Sequence, residues 1–100
     1  MTKLSALYRL PDNPLEFDKH FDDVHIPLLR KLPGLRKIEV IRVTGAPIGQ
    51  AKYHATVGLY FDSRDAMDAA LASAEGKAVT RDIMGFAAEL ITVFHGTVDS

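Results

Sequence analysis

The chain has 100 residues, 47% of them hydrophobic and 25% charged, a composition that fits a folded globular protein and excludes a fibrous repeat or a disordered tract. Twelve Lys and Arg against thirteen Asp and Glu leave a formal charge of −1, with no basic stripe to follow a phosphate backbone, so nucleic acid is not expected as a partner. There is no cysteine, which excludes disulfides, thiolate metal sites and thiol nucleophiles and suits a cytoplasmic protein.

Residues 3–9 are expected to form the first strand. Their apolar run, Leu4 through Tyr8, is too short for the core of a signal peptide. No segment approaches the roughly 20 apolar residues that cross a bilayer, so no membrane is expected either. After the turn-prone PDNP, apolar residues recur at Phe17, Phe21, Val24, Leu28 and Leu32, a helical stripe stopped by Pro33 and Gly34. Residues 35–43, rich in Ile and Val, read as a second strand, and TGAPIGQAK as a plain hairpin loop.

Residues 53–61 are the third strand. Asp62 with Asp65 resembles a capping box ahead of a helix whose buried side is Ala66, Met67, Ala70 and Leu71. Ser73 offers a second N-cap, with Ala78, Val79 and Ile83 as the inner face of a helix ending near Gly85. Residues 89–98 form the last strand. The order β-α-β-β-α-β predicts one α+β domain over residues 1–100, a ferredoxin-like subunit with helices on one face of an antiparallel sheet.

Ile38, Val40, Ile41 and Val43 in the second strand, and Leu90, Ile91, Val93 and Phe94 in the fourth, put apolar groups on both sides of the sheet. Helices cover one side only. A second copy of the chain is expected to cover the other, giving a homodimer.

Four histidines are the candidates for chemistry. On a wheel of about 100° per residue, His25 lies about 50° from the stripe centred near Phe21 and Leu28, so it borders the core, while His20 lies about 90° to the other side and is expected to be mostly solvated. The two diverge and make a poor metal pair, unlike the i, i+4 histidines of zinc helices, and no metal site is expected. Pro27 removes a helical hydrogen bond and presses on the carbonyl of Asp23, at a cost of about 3 kcal/mol in a regular helix. Either the helix kinks there, aiming His25 into a gap, or a second helix begins at Pro27.

Asp22, three residues before His25, could hold its ring. Tyr8 shares parity with Leu4 and Ala6 and is assigned to the helix side of the sheet. Tyr53, Val57, Leu59 and Phe61 should face the helices, leaving His54 and Tyr60 on the opposite side in a structural role. His95 is expected in solvent.

Several stretches together, ALYRLP, Phe17, HFDDVHIPLLRKLPGLRK, YFDS and LASAEGKA, resemble the EthD family, named for ethyl tert-butyl ether degradation, within the dimeric α/β barrel superfamily. The most specific piece is H-x-P-L-x-x-K-x-P-G-L, matched by His25, Pro27, Leu28, Lys31, Pro33, Gly34 and Leu35. The resemblance implies a ferredoxin-like subunit that pairs into a barrel, with a pocket between helices and sheet. Related barrels include cofactor-free lactone isomerases, polyketide cyclases, quinone-forming monooxygenases and haem enzymes. Relatives often carry a tyrosine where this chain has Ile38, so a phenol donor is missing there.

These readings predict a small apolar or aromatic oxygenated ligand, with Tyr8, Phe21, Leu28, Ile38 and Phe61 around it and His25 as acid, base or hydrogen-bond donor, without a cofactor. A non-catalytic accessory or ligand-binding dimer is the alternative, and a haem-dependent barrel a second one. An RNA-recognition module shares the element order, but the third strand, YHATVGLYF, lacks its aromatic and basic pattern.

Overall fold

Asn13 and Pro14 open the first helical run: the Asn13 side chain accepts a hydrogen bond from the Glu16 N–H, and Pro14, which has no N–H to leave unpaired, takes the first turn. In the computed structural model, which describes residues 1–99, the strands are β1 Thr2–Arg9, β2 Lys37–Arg42, β3 Tyr53–Phe61 and β4 Ile91–Thr97. The helices are α1 Pro14–His20, α2 Ile26–Arg30, α3 Arg64–Ala72 and α4 Ala74–Phe86. The sheet order is β2-β3-β1-β4, with every neighbouring pair antiparallel. This is the ferredoxin-like arrangement expected from the element order. Among the described residues, no helix is long and apolar enough to cross a membrane.

Leu4, Tyr8, Val57, Leu59 and Phe61 point from the sheet into a core completed by Phe17, Phe21, Leu29, Met67 and Val79 from the helices. The opposite side of the sheet carries Lys3, Glu39 and Tyr60, with the Lys3 and Lys37 ammonium groups 5.2 and 5.3 Å from the Tyr60 ring centre. Ile41 and Phe94 also lie on that side, about half exposed in the single chain. The cap of α3 differs from expectation: Ser63, not Asp62, accepts from the Ala66 N–H, because its extended backbone places the hydroxyl over the first turn. Ser73 caps α4 as expected, through the Gly76 N–H.

The first helical run departs from the wheel. Between α1 and α2, Phe21–His25 is a π-turn in which the Ile26 N–H reaches back to the Phe21 carbonyl. The chain stays helical through Pro27, which lies in the first turn of α2, directly after the π-turn. The wider turn lies where the proline ring would otherwise press on the Asp23 carbonyl. Its extra residue shifts the buried face by one position. His25, Ile26 and Leu29 turn inward where Val24 and Leu28 were expected, and Val24 is exposed.

A second irregularity re-aims His54. Tyr8 pairs with Ala55 but Arg9 with Tyr53, leaving His54 as the extra residue of a β-bulge. A bulge can turn two consecutive side chains to one side of a sheet. His54 accordingly reaches the helix layer, 2.7 Å from Asp18 and edge-on to Phe17, instead of facing away from the helices as strand parity predicted.

Candidate functional site

His25 is completely buried, and both of its ring nitrogens are engaged. Nε2 lies 3.1 Å from the Tyr8 hydroxyl on β1, and Nδ1 lies 2.9 Å from Asp82 Oδ2 on α4. The other oxygen of Asp82 lies 2.8 Å from Nε2 of His20. Tyr8, His25, Asp82 and His20 thus form one continuous series. Exposure rises along it, from 0% for the His25 side chain to 15% for Asp82 and 35% for His20.

Aromatic rings enclose the series. Phe86 lies 4.9 Å from the His25 ring centre and 4.5 Å from that of His20, and Tyr8 meets Phe17 and Phe21 edge-on at 5.6 and 5.4 Å. Burial in this shell pushes the His25 imidazole below its usual range, against the opposing pull of the Asp82 carboxylate, and His20 nearby lowers it further. Burial, with the Asp82 charge adding to it, pushes the Tyr8 phenol well above its usual range. Tyr8 is therefore a neutral hydroxyl at any ordinary pH.

The outer end of the series opens on a cleft of about 1100 Å³ between the first helical run and α4. His20 and Asp82 line it together with Phe17, Val24, Leu28 and Phe86. Charged groups rim it: Asp12, Glu16, Asp23 and Glu89, with Lys19 and Arg81. The cleft lies between helices, whereas the pocket implied by the resemblance lies between helices and sheet.

Of the residues expected around a ligand, Leu28 lines this cleft. Tyr8, Phe21 and Phe61 are packed in the core, and Ile38 on β2 is half-buried beside it. His25 stands one hydrogen bond behind the wall. Asp22 does not hold His25; it pairs with Arg42 at 2.6 Å. His20 is partly exposed on the cleft wall, not mostly solvated, and it does not diverge from His25, since both rings meet one carboxylate. Asp82 and Phe86 were not singled out from the sequence. The available signal was their spacing: Asp82 stands three residues after Val79 and four before Phe86, on the inner side of α4.

The EthD domain family model matches residues 13–89. The chain is 39% identical to an EthD family protein from Bacillus halodurans C-125, whose crystal structure superposes with a TM-score of 0.96 over 99% of each chain. It is 27% identical over 93 residues to an uncharacterized 11.0 kDa protein of the thcB-thcC intergenic region of Rhodococcus erythropolis, covering 93% of this chain and 90% of that protein. A dimeric ferredoxin-like protein of unknown function from Thermobifida fusca YX shares the fold at 18% identity, with a TM-score of 0.74 over 97% of this chain and 90% of that one.

Proposed function

The chain belongs to the EthD family, and on that premise we propose that it binds a small apolar or aromatic oxygenated compound in the cleft between the first helical run and α4, and acts on it by acid–base chemistry. The observation that carries this reading is the series Tyr8, His25, Asp82, His20, which begins in the core and ends on the cleft wall. An imidazole held by a carboxylate can take a proton from a bound molecule and return it without a cofactor. Phe86, Val24 and Leu28 supply apolar surface for the ligand body, and the polar wall would orient its oxygen. His25, the catalytic candidate of the sequence, acts in this reading through Asp82.

A haem-dependent reading requires an imidazole nitrogen free to meet iron. Both nitrogens of His25, the histidine singled out in the sequence, are hydrogen-bonded to protein groups, so His25 offers none. The protein is proposed to work as a homodimer, with a second copy over Ile41 and Phe94 on the side of the sheet away from the helices. The dimeric state of the Thermobifida fusca neighbour, which has this fold, supports that assembly.

The test is a titration of isotopically labelled protein with a panel of small phenols, aryl ketones and lactones, each mixture also being assayed for conversion. Binders should shift the amide signals of Leu28, Asp82 and Phe86. Conversion by the native protein, lost in Asp82→Asn, supports acid–base catalysis. Binding without conversion of any member favours the accessory-dimer alternative, and a panel that leaves the cleft signals unmoved overturns the reading.

A further inference from the structure

One carboxylate between two imidazoles leaves open which ring exchanges a proton with a bound molecule. We infer that the ring is His20, acting through Nδ1, and that Tyr8 and His25 are positioning residues that fix its proton on Nε2 by way of Asp82. This rests on the proposed cleft function, but its test needs no ligand.

The argument follows donors and acceptors from the core outward. Tyr8 is buried, and among the described residues its hydroxyl has His25 Nε2 as its hydrogen-bond partner. The Asp82 carboxylate facing Nδ1 can only accept, so Nε2 of the neutral His25 ring is the accepting nitrogen and the Tyr8 hydroxyl donates to it. The ring proton of His25 is thereby placed on Nδ1, from which it is donated to Asp82 Oδ2. The remaining oxygen of the carboxylate can only accept, so Nε2–H of His20 donates to Oδ1. Among the described residues no buried side-chain nitrogen or oxygen is left without a partner, so this assignment satisfies the whole series.

The two imidazoles therefore hold opposite tautomers. His25 has no nitrogen left for a ligand. His20 has one, because Nδ1 makes no hydrogen bond with the described residues and its ring lines the cleft. An unprotonated Nδ1 on a ring whose Nε2–H is held by a partly buried carboxylate has the arrangement of a general base, with Asp82 orienting the ring and stabilising the imidazolium that forms. The proton taken from a ligand carbon or hydroxyl would reside on Nδ1 and be returned from there, so the step balances without a redox partner.

Nitrogen-15 spectra of the ring nitrogens near pH 8 test the assignment. The native protein should show His25 protonated on Nδ1 and His20 on Nε2. In Asp82→Asn, the side-chain amide offers one accepting and one donating atom, so one imidazole must switch from donor to acceptor. Tyr8 still holds His25 in place, so the switch should fall on His20, moving its proton to Nδ1. In the double variant Tyr8→Phe, Asp82→Asn, that preference should disappear and both rings should show mixed tautomers. A native spectrum with His25 protonated on Nε2, or a switch confined to His25 in Asp82→Asn, overturns the inference. The native spectrum decides by itself if a variant fails to fold. A correct tautomer pattern with no ligand bound anywhere in the cleft would instead count against the proposed function alone.

Discussion

His20 and His25, five residues apart on one helical run, bind the two oxygens of a single carboxylate, Asp82, at 2.8 and 2.9 Å. A regular α-helix turns two such residues well apart. The π-turn of Phe21–His25 changes the phase between them and swings His25 into the core, while the helical path continues into α2. A widened turn inside a helix often marks a functional site. Here it lets one chain segment contribute one ring to the cleft and another to the core.

The bond between Tyr8 and His25 should contribute measurably to stability. Tyr8→Phe keeps the ring and its contacts with Phe17 and Phe21 but leaves the buried Nε2 of His25 without a donor. A buried polar atom left unpaired costs about 1 to 3 kcal/mol. Denaturant unfolding of the variant should show that loss, and an unchanged midpoint would mean that water or a rearranged ring replaces the hydroxyl.

Stability should fall on mild acidification. Burial holds the folded-state pKa of His25 below the ordinary value of about 6.5, despite Asp82. The unfolded chain then binds more protons than the folded one as pH drops, so this contribution is complete above about pH 6.5 and is lost as pH falls toward the folded value. Thermal melts between pH 8 and 5 should be level at the alkaline end and decline below neutrality. His25→Gln should have a shallower slope, and a native melting temperature that rises on acidification would contradict the assignment.

Gly76 stands where α4 leaves α3, and a methyl group there would collide with the backbone carbonyls of Ala70 and Leu71. Gly76→Ala should destabilise by about 1 to 3 kcal/mol, as overpacking does. It should also weaken the cleft, since α4 carries Asp82 and Phe86. Gly85→Ala, where the added methyl meets open space in the same helix, should instead be neutral or stabilising by up to about 1 kcal/mol. Paired melts of the two variants check both signs.

The apolar wall of the cleft is tested at Phe86, whose ring contacts both imidazoles. Phe86→Ala should weaken an aromatic ligand found by the panel by at least about tenfold, about 1.4 kcal/mol, while Val93→Ala on the exposed β4 strand should not. Equal affinities in isothermal titration would place the ligand elsewhere.

Assembly is tested at the side of the sheet away from the helices. Phe94→Lys or Ile41→Lys puts a charge where a second copy is proposed to pack, and burying an unpaired charge is costly. Sedimentation at micromolar concentration should show twice the 11.0 kDa chain mass for the native protein. The variants should sediment as single chains. A native species of one chain mass would remove the homodimer.

The sequence by itself determined the four strands, the helical segments and their order. Those depend on short-range periodicity and on local punctuation such as Pro33, Gly34 and Ser73, which can be read within a turn or two. The family resemblance also pointed to His25 and Pro27 together, and these do lie at the irregular stretch of the first helical run. Tertiary structure decided what those residues touch. Wheel geometry assumes a constant turn, so a single π-turn displaced the expected stripe from Val24 and Leu28 to His25 and Leu29, and a single bulge turned His54 to the helix layer. Asp82 lies 57 residues beyond His25, and no local pattern couples two side chains at that distance. Only the packing of α4 against the first helical run brings the carboxylate between the two imidazoles, where the desolvation of His25 makes that hydrogen bond necessary.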